Sequence, residues 1–256
     1  MNYNYHTHTF RCSHASGTEE EYIQRAIAGG IKHMGFSDHM PFVFPDGYES
    51  GFRVPVTQVE DYFKTLSALR EKYKDQIDIH IGFEMEYYPK HFKDMLKKAR
   101  EYGAEYLILG QHFIYNEHPD GINSTAKQDD IKNLQEYVSN LVAAIQSGVF
   151  TYIAHPDMFY FTGEESVYRA EMQKICAASK EHAVPLEINF LGIRGKRHYP
   201  NSLFWEIVAE EQSPVTFGFD SHDTLNAYDG ESLQKALEMV AELKLNYIGE
   251  PALRRI

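Results

Sequence analysis

Seven short apolar runs alternate with seven longer amphipathic segments along the 256 residues, and this alternation constrains the fold more than any other feature. The runs have the length and composition of buried β-strands, whereas the longer segments carry the helical period of apolar residues. The predicted strands are residues 2–8, 33–37, 77–85, 106–111, 150–154, 185–189 and 214–219. The predicted helices are residues 17–28, 57–74, 89–102, 127–148, 164–182, 201–211 and 230–243.

Strand–helix units in series predict a parallel α/β sheet with right-handed crossovers. We expect a distorted (β/α)7 TIM-like barrel that forms a single domain over residues 1–256, and a doubly wound open sheet is the alternative. Both architectures place the functional face at the C-terminal ends of the strands, so residues just after the strands are the ones to inspect.

Metal-ligand residue types lie at or just after these strand ends. They are His6, His8, His14, His39, Glu84, His112, His155, Asp220 and His222. The strand ends of a barrel meet at one mouth. The pattern therefore predicts a pocket that holds more than one divalent ion and carries out metal-assisted hydrolysis. Taken singly, His112 and His155 could instead be buried core residues, and His14 and His39 could be ordinary surface residues.

The spacing within this set supports the interpretation. His6 and His8 lie two residues apart on a predicted strand, so both imidazoles point to the same face. Glu84 follows an apolar strand, where a buried carboxylate needs a counter-charge, and a carboxylate can bridge two metal ions. Glu86 is a weaker candidate for the bridging role. Cys12 lies close by in sequence, but we expect it to pack because the ligand set is full without it.

A basic cluster, Leu-Gly-Ile-Arg-Gly-Lys-Arg at residues 191–197, follows the sixth predicted strand. An arginine there can bind a phosphate with two parallel hydrogen bonds. We therefore expect Arg194 and Arg197, with His198 beside them, to contact a phosphorylated substrate. A solvated run of loop charges is the ordinary alternative.

Charge and cysteine usage exclude several classes of protein. The net charge of −12 argues against nucleic acid as the main partner, because such binding depends on basic surfaces. The two cysteines, Cys12 and Cys176, do not form a disulfide framework, so we expect a cytoplasmic protein. No signal-like segment or run of membrane-spanning length is visible in the sequence. The oligomeric state is left open.

In order and spacing, the motifs resemble the polymerase and histidinol phosphatase (PHP) family over nearly the whole chain. The motifs are His6-x-His8, Ser-Asp-His39, Gly-Phe-Glu84, Gly-Gln-His112, Ala-His155-Pro and Asp220-x-His222. Residues 6–10, 13–15 and 187–194 further resemble the monofunctional histidinol-phosphate phosphatases of that family.

The resemblance implies a barrel of seven βα units with three divalent ions, which could be zinc, iron or manganese. It implies three ligand sets, with Glu84 shared between two of them. The first set is His6, His8, Glu84 and Asp220, the second is Glu84, His112 and His155, and the third is His14, His39 and His222.

The implied reaction is the hydrolysis of L-histidinol phosphate to L-histidinol and phosphate, a step of histidine biosynthesis. The metal ions would activate water and neutralise the phosphoryl charge, with Glu84 as the bridging carboxylate. Asp220 or His222 would protonate the leaving alkoxide.

Three alternatives stay open at this point. One is a phosphoesterase of the same family that acts on another small phosphate ester or a nucleotide. Another is an amidohydrolase, although no lysine stands at a middle strand end to bridge its metals. The last is a non-catalytic metal-binding regulatory protein, although closed structural zinc sites are usually richer in cysteine.

Overall fold

Among the residues that the computed structural model describes, 1–119 and 121–256, eight parallel strands form one sheet in the order β1 to β8. This sequential order excludes the doubly wound alternative, in which the strand order reverses at a switch point. The strands are β1 (Tyr3–Asn4), β2 (His33–His39), β3 (Asp78–Met85), β4 (Leu107–Leu109), β5 (Phe150–Ile153), β6 (Leu186–Asn189), β7 (Pro214–Gly218) and β8 (Asn246–Tyr247).

The sheet curls until the segments that follow β1 and β7 meet. Thr7 and Ser221 form a parallel bridge there, and the N–H of His8 donates to the carbonyl oxygen of Ser221 at 3.0 Å. The predicted distorted barrel of seven βα units is confirmed. Strand β8 is an addition that pairs only with the first two residues of β7. It is too short to give a periodic signal in the sequence.

The seven predicted helices are confirmed, and a short helix after β6 was not predicted. The helices are α1 (Glu19–Ala28), α2 (Val59–Tyr73), α3 (Phe92–Tyr102), α4 (Ile131–Ser147), α5 (Glu165–His182), α6 (Phe190–Arg194), α7 (Ser202–Glu211) and α8 (Gly230–Leu243). Helix α6 begins because the side chain of Asn189 caps it, accepting from the N–H of Gly192 at 3.0 Å. None of the helices found in residues 1–119 and 121–256 is both long and apolar enough to cross a membrane.

Two apolar layers support the mouth of the barrel. The larger packs the helices against the outer faces of the strands, for example around Leu107 and Leu109. The smaller fills the barrel interior with alternate side chains of the same strands. Its members are Tyr3, Tyr5, Tyr106, Ile108, Tyr152 and Ala154. This aromatic floor closes the N-terminal end of the barrel, so the interior opens at the C-terminal ends of the strands.

Candidate metal centre

The nine predicted ligands converge at the C-terminal mouth of the barrel, around a cavity of about 580 Å³. His6 and His8 are completely buried beneath the cavity floor. The other predicted ligands line the cavity itself, namely His14, His39, Glu84, His112, His155, Asp220 and His222. Side chains more than two hundred residues apart in sequence therefore meet at one site.

Glu84 lies at the centre of this group and is only 1% exposed. Its Oε1 is 2.9 Å from Nε2 of His155 and 3.5 Å from Nε2 of His112. Its Oε2 is 3.1 Å from Nδ1 of His39 and 3.5 Å from Nε2 of His8. Each oxygen faces a different group of imidazoles, which is the arrangement that a bridging carboxylate requires.

Asp220 faces Glu84 from the segment after β7. Its Oδ1 lies 3.4 Å from Nε2 of His8, 3.6 Å from Nε2 of His6 and 3.2 Å from Nδ1 of His222. Its backbone is in the left-handed region with φ 47°, as is that of His155 with φ 33°. Such conformations cost free energy in non-glycine residues and are concentrated at functional sites.

A second group of histidines lies nearer to the solvent. The ring centroids of His14 and His222 are 4.7 Å apart, and those of His14 and His39 are 5.2 Å apart. The ring of His8 stacks on that of His222 at 4.0 Å, so this outer group is continuous with the buried one.

Several triads of side chains place one ligand atom each within 4.8 Å of the others. They are His6-His8-Glu84, His14-His39-His222, His39-Glu84-His112, His6-His155-Asp220 and His8-Cys12-His222. The first two triads fall within two of the implied ligand sets. The second implied set is divided, because His112 groups with His39 and His155 groups with His6. Cys12, which was expected only to pack, lies among the candidate ligands.

The donor atoms fit bound cations. In the described part of the chain, many buried polar atoms at this centre have no hydrogen-bond partner, and an unpaired buried polar atom is costly. They include Nε2 of His6, both ring nitrogens of His8, Nδ1 of His39, Oε2 of Glu84, Nδ1 of His155, Oδ1 of Asp220 and Nε2 of His222. Imidazole nitrogens and carboxylate oxygens suit divalent zinc, iron and manganese, so the centre has the composition of a divalent metal site.

The local electrostatics keep four of the candidate ligands, Glu84, Asp220, His39 and His222, in the forms that bind metal. Burial alone would raise the pKa values of Glu84 and Asp220, but the surrounding imidazoles hold both well below their ordinary values. Both side chains are therefore carboxylates. Burial lowers the pKa of His39 well below its ordinary value and lowers that of His222 to about 4. These two imidazoles are neutral, and neutral imidazole is the form that binds a metal ion.

Two buried carboxylates that the sequence analysis did not assign lie beside the candidate ligands, and Glu187 forms hydrogen bonds to two of them. Oε1 of Glu187 lies 2.7 Å from Nδ1 of His6, and its Oε2 accepts from the N–H of His155 at 3.0 Å. Oδ1 of Asp38 lies 3.5 Å from Nδ1 of His8. Glu187 lies inside the predicted strand 185–189 and Asp38 directly follows the predicted strand 33–37, and these positions were the signal that could have identified them.

Glu86, which the sequence left as a second candidate for the bridging role, lies outside the centre. Its Oε1 is 2.7 Å from Nδ1 of His112, on the side of the ring that faces away from Glu84. Glu86 therefore orients a candidate ligand, and Glu84 alone occupies the central position between the imidazoles.

Glycine at position 110 leaves room for the central carboxylate of Glu84. A Cβ at Gly110 would lie 1.9 Å from Oε1 of Glu84, and a Cβ at Gly218 would lie 1.7 Å from Oε1 of Glu187. Non-bonded atoms cannot approach so closely. The positions of Glu84 and Glu187 therefore require glycine at Gly110 and Gly218.

The structure brings one of the three predicted substrate-binding residues to the cavity. Arg197 lines it, whereas Arg194 and His198 do not. Helix α6 turns Arg194 back toward β7, where it donates to the carbonyl oxygens of Phe219 at 2.6 Å and Asp220 at 2.5 Å. His198 stacks on a neighbouring tyrosine at 4.2 Å, and its Nε2 lies 2.6 Å from the carbonyl oxygen of Met158.

The remaining cavity wall is largely apolar. It includes Phe52, Phe113, Met158, Leu191 and Tyr199. Phe113 directly follows the candidate ligand His112, so its position at the site could have been predicted from the sequence. Phe52 lies in a loop far from any predicted strand end, and nothing in the sequence pointed to it.

Similar proteins are known for most of the chain. The PHP domain model matches residues 4–190. A protein of Deinococcus radiodurans called probable histidinol-phosphatase is 26% identical over 225 residues, which are 85% of this chain and 85% of that protein. The histidinol-phosphatase of Bacillus subtilis is 23% identical over 252 residues, covering 85% of this chain and 92% of that protein.

A crystal structure of histidinol phosphate phosphatase from Lactococcus lactis, complexed with zinc, L-histidinol and phosphate, has the same fold. The TM-score is 0.73 at 20% identity, with 96% of this chain and 95% of that chain covered. The PHP domain match spans well over half of the 256 residues. The resemblance read from the motifs is thereby confirmed, and the protein belongs to the PHP domain family.

Proposed function

We propose that the protein is a metal-dependent histidinol-phosphatase, which hydrolyses L-histidinol phosphate to L-histidinol and phosphate. The convergence of nine histidine, glutamate and aspartate side chains on one cavity that also contains an arginine carries the proposal. The names of the relatives from Deinococcus radiodurans and Bacillus subtilis support this choice of substrate.

The proposed cofactor is a group of three divalent ions, each zinc, iron or manganese. The first would be held by His6, His8, Glu84 and Asp220, the second by Glu84, His112 and His155, and the third by His14, His39 and His222. Bound there, the ions supply Lewis acidity, which activates water and neutralises the charge on a phosphoryl group.

Arg197 is the proposed phosphate-binding side chain of the protein. It lines the cavity, and its Nη1 donates to the hydroxyl of Tyr199 at 2.8 Å, which orients the guanidinium. A guanidinium can donate two parallel hydrogen bonds to phosphate oxygens. Arg194 does not contact the phosphate in this proposal. It donates to the backbone carbonyl of Asp220 and so supports the position of that carboxylate.

Asp220 and His222 are the proposed source of the proton for the leaving alkoxide. Oδ2 of Asp220 accepts from Nδ2 of Asn189 at 3.0 Å, which leaves Oδ1 directed at the centre, 3.2 Å from Nδ1 of His222. Because Asp220 is a carboxylate and His222 a neutral imidazole, the pair would first take up the proton that the attacking water loses and would then pass it to the alkoxide as the phosphorus–oxygen bond breaks.

The apolar wall formed by Phe52 and Phe113 is the proposed contact for the imidazole ring of histidinol. The ring centroids of these two residues lie 6.0 Å apart on one side of the cavity. A cavity of about 580 Å³ is within the usual range for small-molecule sites, so the substrate is a small phosphorylated metabolite.

A phosphate-release assay tests the proposal. The purified protein, loaded in turn with zinc, manganese or iron, is assayed against L-histidinol phosphate, sugar phosphates, nucleotides and p-nitrophenyl phosphate. We expect L-histidinol phosphate to give the highest kcat/KM. We expect Glu84→Gln and His8→Ala to lose turnover while the circular dichroism spectrum is unchanged.

The matched control is Glu210→Gln, which removes an exposed carboxylate paired with Arg169 on the surface. It should behave as the wild type. A fully metallated protein that releases no phosphate from any ester would overturn the proposal, as would near-normal activity in Glu84→Gln. Preference for a nucleotide would support instead the related phosphoesterase activity.

A further inference from the structure

A buried arginine, Arg53, joins three segments that border the metal centre. It is 2% exposed, and its Nη1 donates to the carbonyl oxygen of Met40 at 2.8 Å, just after β2. Its Nε donates to both carboxylate oxygens of Glu117 at 3.1 Å, in the loop after β4. Its Nη2 contacts Glu86, just after β3, and Glu117 together. We call Arg53, Glu86 and Glu117 the Arg53 cluster.

The charges of the Arg53 cluster do not balance within it. Two buried carboxylates surround one guanidinium, and the remaining oxygen of Glu86 lies 2.7 Å from Nδ1 of His112. In the neutral ring of His112 this contact places the proton on Nδ1 toward Glu86, which leaves Nε2 as the lone-pair atom, 3.5 Å from Oε1 of Glu84. A carboxylate on the far nitrogen fixes the tautomer and orientation of a metal-binding histidine.

The same guanidinium also supports the wall of the cavity. It lies 4.9 Å from the ring of Phe52, the preceding residue. That ring meets His39 edge-on at 5.1 Å and lies 6.0 Å from the ring of Phe113. Arg53 thus contacts Phe52, which lines the cavity, and also Glu86, which is hydrogen-bonded to the candidate ligand His112.

Stability alone is a poor explanation for the Arg53 cluster. Removing charges from water costs free energy that the attraction between them often fails to recover. The cluster fixes the geometry of one candidate ligand and one wall residue, and this is the effect that a buried, forked guanidinium achieves and an apolar side chain does not.

We propose that Arg53 is a positioning residue, which holds Glu86 against His112 and Phe52 in the cavity wall. Retention of the ion bound through His112 and affinity for the substrate then both depend on one guanidinium. The part that concerns substrate rests on the proposed phosphatase function, whereas the part that concerns metal retention does not.

The test compares Arg53→Met and Arg53→Lys with a matched control, Arg70→Met. Arg70 is paired with Glu105 at 2.5 Å at the opposite end of the barrel, so its loss removes an ion pair without touching the centre. Zinc release to a chromophoric chelator measures metal retention without substrate, and steady-state kinetics with L-histidinol phosphate measure KM and kcat separately.

We expect Arg53→Met to weaken zinc retention about 10–100-fold for one ion, and to raise KM as well. Arg53→Lys should recover part of the loss, because it restores the charge without the planar fork. Arg70→Met should retain zinc as the wild type does. If Arg53→Met does not fold, Arg53→Lys and Glu86→Gln carry the same comparison.

Zinc retention and KM equal to those of the wild type in the folded Arg53 variants would overturn the proposal. Equal losses in Arg70→Met would also overturn it, since they would show a general effect of destabilisation. A wild-type protein that hydrolyses no phosphoester contradicts the proposed function, but the zinc-release comparison would still decide the role of Arg53.

Discussion

Oε1 of Glu187 lies 2.7 Å from Nδ1 of His6, on the side of the imidazole ring that faces away from the metal centre. Both side chains are completely buried. The contact requires a proton between the two atoms, so in the neutral ring Nδ1 is the donor and Nε2 of His6 keeps its lone pair toward Glu84 and Asp220. The atom through which this candidate ligand would bind a metal ion is thus set by a residue that does not itself face the cavity.

The first prediction is that Glu187→Gln weakens metal binding about 10–100-fold, as is typical when the partner of a metal-binding histidine is lost. The amide can donate to Nδ1, which would place the ring proton on Nε2, where it blocks coordination. Competition with a chelator of known affinity measures the change. Glu206→Gln is the control, because its carboxylate accepts from Arg169 on the surface at 3.3 Å, away from the cavity.

Wild-type metal affinity in Glu187→Gln would contradict the proposed role of that carboxylate. It would mean that His6 reaches its tautomer without help, or that it binds no metal.

The second prediction is that Gly110→Ala abolishes activity although alanine suits the local backbone. The new Cβ would lie 1.9 Å from Oε1 of Glu84, so the central carboxylate must move. Metal content and kcat should fall together. Gly230→Ala, at the start of α8, is the control, because its Cβ would come no closer than 3.4 Å to any atom. An active, fully metallated Gly110→Ala protein would show that Glu84 is not required at its present position.

Much of the fold and of the site could be predicted because each depends on local patterns. Periodicity gave seven strands and seven helices, and the sites of ligand residues followed from the strand ends. Helix α6 and strand β8 were not predicted, because elements of five and two residues are too short to show a period of apolar residues. The start of α6 is set by one side chain, Asn189, which caps the helix, and a single residue of this kind does not give a periodic pattern.

The parts of the site that could not be predicted depend on the direction of long side chains. Arg194 and Arg197 are three residues apart and chemically identical, yet only Arg197 lines the cavity. Arg194 is the last residue of helix α6, whereas Arg197 lies beyond its end, and the helix was not visible in the sequence. Glu117 and Phe52 reach the neighbourhood of the site through irregular loops, whose paths are set by contacts such as those of Arg53 rather than by periodicity.

The third prediction concerns acid stability at the opposite end of the barrel. Burial would raise the pKa of Glu105, but hydrogen bonds from His80 and Arg70 lower it from the ordinary 4.5 to about 2. A lowered pKa in the folded state adds stability above pH 4.5, and this contribution is lost as the pH falls from 4.5 toward 2.

The free energy of unfolding of the wild type should therefore exceed that of Glu105→Gln at pH 6, and the difference should shrink as the solution is acidified. The difference should be at most about 1 kcal/mol, because the carboxylate is 35% exposed and screened by solvent. Urea unfolding of both proteins across this pH range measures it. A difference that grows toward acid pH would have the wrong sign for this ion pair.

The last prediction separates the two arginines of the basic cluster. Arg197→Met removes a charged donor from the cavity wall, and a hydrogen bond to a charged group contributes about 1.5–3 kcal/mol. The KM for the phosphoester and the inhibition constant for inorganic phosphate should therefore both rise at least 10-fold, with no change in the melting temperature.

Arg194→Met should behave differently, because it leaves the carbonyl oxygens of Phe219 and Asp220 without their donor. An unsatisfied buried acceptor costs about 1–3 kcal/mol of stability. The melting temperature of Arg194→Met should fall, while its affinity for inorganic phosphate stays within a few-fold of the wild type. If Arg194→Met lost phosphate affinity and Arg197→Met kept it, the phosphate would have to be assigned to Arg194.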